Sequence, residues 1–265
     1  KKLGVYYDSL STDELFEVVT LDSLDLSGND LLLNLDPIYQ LTGLKHLKIS
    51  NTWINDLSPL LSINKLQSLD VSNTSVYDLQ YLKYHNDIRS LNLSNCHVED
   101  FSVLKRFEKL SSLTLNGIAG TDLSFIEDLD ALESLSLEDA KGLSTLDFSA
   151  LTNLESLHLQ NADLQSLREI GQLRSLTFLD VSSTQLTEPS GIDGARKLEI
   201  LQFNNTAISD LEPLFSLQQL ERVYANGTPI QEDMALEFSK YNEALLIRNS
   251  EELLAWWSAL PNGLQ

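Results

Sequence analysis

The sequence predicts an α/β solenoid, a stack of about ten short repeats with a parallel sheet on one side and short 3₁₀ or helical segments on the other. Three observations predict it. An apolar residue recurs every 22 residues, at Leu44, Leu66, Ile88, Leu110, Leu132, Leu154, Leu176, Leu198 and Leu220. Each is followed three and five positions later by further apolar residues, as in Leu44, Leu47 and Ile49 or Leu154, Leu157 and Leu159. A second apolar series then runs at spacings of three, as in Ile54, Leu57, Leu60 and Ile63 or Ile208, Leu211, Leu214 and Leu217. A fixed period of this length marks a repeat architecture. One repeat cannot close its own core, whereas stacked repeats bury a continuous one.

Taken in chain order, residues 1–20 read as an N-terminal cap. Ser11 and Glu14 form an S-x-x-E capping box ahead of Leu15, Phe16, Val18 and Val19, so a short helix is expected over 11–19. Residues 21–230 are the repeats, opened by Leu21, Leu24 and Leu26 in a unit one residue longer than the rest. The alternating x-L-x-L-x segment is a strand with one buried face. The three-residue spacing that follows suits a 3₁₀ return path. Repeats five and six break this pattern with Gly117, Gly120 and Gly142, so a change of turn shape is expected there. Residues 231–265 read as a C-terminal cap: a helix over 231–241, a last strand over 244–248, then a helix led by Asn249 and Glu252 and stopped by Pro261. At least one of Trp256 and Trp257 is expected to pack on the last repeat.

Two stretches, "LKHLKISNTWINDLSPLLSINK" (44–65) and "LEILQFNNTAISDLEPLFSLQQ" (198–219), carry a pattern L-x-x-L-x-L-x-x-N-x-I-x-D-L-x-P-L. This resembles the bacterial, internalin-like class of leucine-rich repeat, over roughly residues 21 to 230. The resemblance implies a leucine-rich-repeat horseshoe with a parallel concave sheet and a convex side of short 3₁₀ or helical segments. It also implies an asparagine ladder at the ninth repeat position, bonding backbone from turn to turn. Here that column reads Asn29, Thr52, Thr74, Cys96, Ile118, Ala140, Ala162, Thr184, Thr206 and Thr228, so the ladder is expected to be interrupted across repeats four to seven.

In that class the strands line the concave face, and positions three, five and seven alternate with the buried leucines to point out from it. The third column is serine at 68, 90, 112, 134 and 156, a floor that lets a partner approach closely. It then changes to Phe178, Ile200 and Arg222, with Tyr224 beside them. Clustered exposed apolar residues mark interaction sites, and Tyr and Arg are hot-spot types. These four are the first candidate site; the alternative is that the C-terminal cap folds over them. A second cluster is His46, Lys48 and Trp53, where Trp53 either lies on the rim or packs sideways on a neighbouring loop.

No catalytic pattern stands beside these. The histidines, His46, His85, His97 and His158, form no ligand pair, and no G-x-S-x-G, Walker or dinucleotide motif occurs. Cys96, the only cysteine, sits in the ninth column and is expected to be buried and inert. Asp56, Asp78, Asp100, Asp122 and Asp210 recur singly before a leucine, which reads as turn capping rather than a calcium site. No cofactor, metal or enzymatic activity is expected. The balance of 39 acidic to 18 basic residues, a net charge of −21, argues against nucleic acid and anionic lipid. It serves solubility, or else suits a partner with basic patches. No apolar run is long enough to insert in a membrane.

The reading is therefore a non-catalytic, monomeric protein-binding module. A glycan-binding surface protein and a scaffold or sensor segment of a larger protein are the alternatives. The chain opens on Lys1, which reads as a piece of a longer polypeptide. The compartment stays open, with the cell surface or secretion favoured over the cytoplasm.

Overall fold

A computed structural model describes residues 20–250, apart from 120–121, 144–145 and 165. The capping box at Ser11 and Glu14, Gly120, and the terminal segment with Trp256 and Trp257 lie outside the described residues. The chain divides into two compact units, residues 1–114 and 115–265.

In the first unit five three-residue strands pair in parallel in chain order: β1 (Ser23–Asp25), β2 (His46–Lys48), β3 (Ser68–Asp70), β4 (Ser90–Asn92) and β5 (Ser112–Thr114). In the second, six do the same: β6 (Ser134–Ser136), β7 (Ser156–His158), β8 (Phe178–Asp180), β9 (Ile200–Gln202), β10 (Arg222–Tyr224) and β11 (Leu245–Ile247). Equivalent repeat positions stand side by side, so Leu47 faces Leu69 and Phe178 faces Ile200. The apolar residue at the centre of each of β2 to β10 is buried, together with the apolar residues three before and two after it.

The strands β1 to β10 are short because a left-handed turn follows each within three residues. The eighth repeat position has positive φ at Gly28, Asn51, Asn73, Asn95, Gly117, Asp139, Asn161, Ser183, Asn205 and Gly227. Every occupant is glycine or a small polar residue, mostly Asn or Asp, whose side chain bonds locally and eases the left-handed region. Gly117 thus occupies the regular turn, contrary to the expected distortion. Gly142, with φ of 86° two residues after a regular turn at Ala140, is the departure in repeat six.

The return paths are 3₁₀ segments, among them Ser58–Ser62, Ser102–Arg106, Ser124–Asp128 and Glu212–Leu214. The recurring aspartates start them: Asp56, Asp78, Asp100, Asp122 and Asp210 each accept the backbone N–H two residues on, at 2.8–2.9 Å. After the last return, helix α1 (Glu232–Tyr241) packs back on it. Phe238 is buried against Phe215, and Tyr241 stacks on the same ring at 4.8 Å. Buried Asn242 donates to the carbonyls of Leu214 and Leu217, so the turn after α1 satisfies the preceding return segment.

The ninth column works differently from the expected ladder. Thr52, Thr74, Thr184, Thr206 and Thr228 donate their hydroxyls to the carbonyl three residues back, closing their own turn. Where hydroxyls are missing, the backbone N–H of Cys96, Ala140 and Ala162 reaches the same carbonyl. A buried carbonyl needs one partner, and either donor supplies it.

Candidate functional site

The third and fifth positions of the strands lie at the surface, as alternation requires, except Asp180, which is buried and accepts the Ser182 backbone N–H. Ser68, Ser90 and Ser112 in the first unit and Ser134 and Ser156 in the second are partly exposed. The seventh position corrects the expected pattern. Ser50, Ser72, Ser94 and Ser182 are buried, and Asn204 and Asn226 half-buried. By that position the chain is already turning: the Ser50 hydroxyl donates to Ser27 one repeat back, whereas Ser72 and Ser94 donate to Asp70 and Asn92 of their own repeats. A ladder runs there in the second unit. Asn204 donates to the Ser182 hydroxyl at 3.2 Å, its carbonyl accepts from both the backbone and the side chain of Asn226, and Asn226 accepts from the backbone of Ser250.

Strand β8 begins the change of character. Phe178 and Ile200 lie in register as outward third-position residues, followed by Arg222 and then Leu245. Neighbouring strands are about 4.8 Å apart, so these side chains form one row. Leu245 is 59% exposed, extending the apolar surface past Arg222. In the fifth column the His158 ring meets the Phe178 ring at 4.7 Å between centroids, and its Nε2 bonds the Ser156 hydroxyl at 3.1 Å. Tyr224 and Ile247 pair at the other end of that column. The Tyr224 hydroxyl and then the Glu221 carboxylate raise the already high pKa of the Arg222 guanidinium, a permanent cation within the row.

The structure thus brings Phe178, Ile200, Arg222 and Tyr224 together on one strand face. Leu245, Ile247 and His158 join them, and sequence reasoning missed all three. Position 244–248 was legible as a strand, but Leu245 follows Arg222 by 23 residues with α1 between, which takes it out of the 22-residue count.

The second cluster lies in the first unit. His46 and Lys48 share the exposed face of β2. Lys48 stands between Asp25 and Asp70 in register, so its charge is balanced locally. Trp53 comes after the left-handed turn at Asn51, off the strand, and is 66% exposed.

Other candidates are structural. His85 is wholly buried, with Nε2 3.1 Å from the Leu60 carbonyl and Nδ1 without a partner. Cys96 is half-buried rather than fully so; its thiol donates to the Val71 carbonyl, and burial pushes its pKa up, which keeps it protonated and unreactive. Among the described residues, no three His, Cys, Asp or Glu side chains are grouped to hold a metal, and no helix is long and apolar enough to cross a membrane.

Residues 82–184, less than half of the chain, match the family model of the leucine-rich-repeat domain of the endo-beta-N-acetylglucosaminidase EndoS. The fold superposes on an internalin (inlF) of Listeria monocytogenes with a TM-score of 0.72 and 23% identity, over 80% of this chain and 63% of that one. This is an internalin-like leucine-rich-repeat fold. The chain spans less than two thirds of that internalin's length. A leucine-rich-repeat protein of Leptospira interrogans matches with a TM-score of 0.63 and 21% identity over 91% of this chain and 75% of that one. A plant peptide hormone receptor, RGFR1 in complex with RGF2, matches with a TM-score of 0.64 and 18% identity over 88% and 42%. No curated protein sequence matches the chain. Internalin-like and other leucine-rich-repeat folds typically serve as protein-interaction modules rather than enzymes, because stacked strands present an extended binding surface.

Proposed function

We propose that this chain is a non-catalytic protein-binding module whose partner seats on the strand face of β8–β11. The observation that carries the reading is the break in the third column, from serine at 134 and 156 to Phe178, Ile200, Arg222 and Leu245. A polar floor offers little affinity, whereas a contiguous apolar row around a fixed cation has the composition of a hot spot. Tyr224 and His158 flank the row and supply aromatic contact area with a polar edge. His46, Lys48 and Trp53 are a second contact for the same kind of partner.

The test is capture from extracts of the source organism by the wild-type protein and by a Phe178→Asp, Tyr224→Ala double variant, both shown folded by circular dichroism. A partner held by the wild type should bind the double variant at least about tenfold more weakly. Equal capture by both would place the site elsewhere.

The match to a repeat domain of an endo-beta-N-acetylglucosaminidase favours a second reading, a glycan-binding or scaffold segment of a larger protein. A glycan array on folded protein separates the two: specific glycan hits that vanish in the double variant would replace the protein partner with a sugar.

A further inference from the structure

The return-path side of the second unit carries a cleft of about 600 Å³ whose lining is unlike the rest of this acidic chain. Arg174, Arg196 and Lys197 converge on it, together with Ser149, Thr152 and Gln172. No carboxylate lines it, although the chain has 39 acidic residues and a net charge of −21. All three cations are exposed, and none makes an ion pair among the described residues.

The repeat geometry shows what pairing looks like when the fold supplies it. Lys109, at the last position of its repeat, reaches back one repeat to Asp87 at 2.5 Å. Lys197 occupies the same repeat position 88 residues on, and the residue one repeat behind it is Ser175. Arg196 and Arg174, also 22 residues apart, line the same cleft, so like charges share it where the periodic neighbour could have been an acid. Neighbouring like charges repel. An arrangement that keeps them together without a counter-charge is complementary to an anion from solution.

The floor is formed by two return segments that pack backbone to backbone. Gly171 and Gly194 line the cleft without side chains. Their return segments are so close that a Cβ on Gly194 would stand 2.1 Å from the Gly171 carbonyl oxygen. Two guanidinium forks, an ammonium and the Thr152 hydroxyl around one cleft match a multiply charged oxyanion. Guanidinium groups bond such oxygens bidentately, and a hydroxyl donates to a remaining acceptor.

We propose that this cleft is a binding site for a phosphate- or sulfate-bearing ligand, separate from the strand face. Arg174 and Arg196 grip the oxyanion, Lys197 adds charge, and the Thr152 hydroxyl orients it, while Ser149 and Gln172 stay bonded to Asp147 and Glu169. Neutralising the neighbouring cations makes the bound form more stable than the free one.

Isothermal titration of the whole chain with inorganic pyrophosphate, and separately with a heparin-derived hexasaccharide, tests it at fixed ionic strength. The cleft variant is R174Q/R196Q/K197Q. The control is K65Q/K83Q/K240Q, which removes the same charge from exposed lysines elsewhere. Saturable binding that the cleft variant weakens by roughly tenfold or more, and the control by less than about twofold, is the expected result. Binding of pyrophosphate alone identifies a phosphoryl ligand, and binding of the hexasaccharide alone a sulfated one. Wild type that binds neither, or equal weakening in both triple variants, overturns the site. Should the cleft triple fail to fold, the single R196Q, which removes one of the two guanidinium groups, gives the same reading.

Discussion

The contact between two return segments of the second unit sets a sharp test. Gly171 lies in the 3₁₀ segment Ile170–Gln172, and its neighbour segment is Ile192–Gly194. A Cβ placed on Gly171 would be 1.7 Å from the carbonyl oxygen of Gly191 and 2.9 Å from its carbon. Both obstacles are backbone, so no side-chain rotation relieves them; the segments must part by more than an ångström. Ile170 and Ile192, both buried there, would lose packing as they do. Overpacking of this kind costs about 1–3 kcal/mol and occasionally more, and a backbone obstacle belongs at the upper end. Replacing glycine by alanine also stabilises by about 0.4–1 kcal/mol through the unfolded chain where φ is compatible. Gly171→Ala should therefore lose about 2–3 kcal/mol net in urea unfolding followed by far-UV circular dichroism. Gly43→Ala is the internal reference, because its nearest obstacle, the Leu21 carbonyl oxygen, is 3.9 Å away. If Gly171→Ala unfolds at the same urea concentration as Gly43→Ala, the close approach of the two segments is wrong.

Further outcomes follow from other parts of the chain. His85→Leu removes a buried nitrogen that has no partner and matches the leucines at the same position of other repeats, and the Leu60 carbonyl keeps its bond from the Ile63 N–H; thermal denaturation should show the variant more stable by about 1 kcal/mol. Asn204→Ala leaves the backbone N–H of Asn226 without its acceptor and cuts the seventh-column ladder, so urea unfolding should show a loss of about 1–2 kcal/mol. The Ser102 backbone N–H, then its hydroxyl, hold the Asp100 carboxyl below the usual carboxylate range. A depressed folded-state pKa contributes stability above the unfolded value and loses it as pH falls through the folded one, so the Tm gap between wild type and Asp100→Ala should be present at neutral pH and close below about pH 4. Leu245→Asp, read in the same capture assay as the Phe178 variant, should weaken the strand-face partner about tenfold if the apolar row extends past Arg222.

Much of this was legible because the period is regular. Leu44 to Leu220 fix the strand spacing, and from it the adjacency of Phe178 and Ile200 follows without coordinates. Alternation also placed the serine column outward. It failed at the seventh column, since alternation holds only while the backbone stays extended, and Asn204 already sits beside the left-handed turn at Asn205. The eighth column, occupied by Gly, Asn, Asp and Ser alone, was the available sign of that turn. Leu245 escaped because α1 interrupts the count before the last strand. The cleft cations Arg174 and Arg196 obey the period, but the approach of Gly171 to Gly194 is a three-dimensional fact that no spacing contains.

The parallel register with one-repeat offset has a kinetic consequence. Each strand's partner lies 22 or 23 residues along the chain, a separation of about 0.08 of its length, which is the range of helical bundles rather than of parallel sheets joined by long crossovers. Loop closure is therefore inexpensive for every pairing, and once two neighbouring repeats have formed, each addition repeats the same short step. Within each unit the chain should condense outward from whichever adjacent pair forms first, and the barrier should depend on that first pair rather than on the number of repeats that follow.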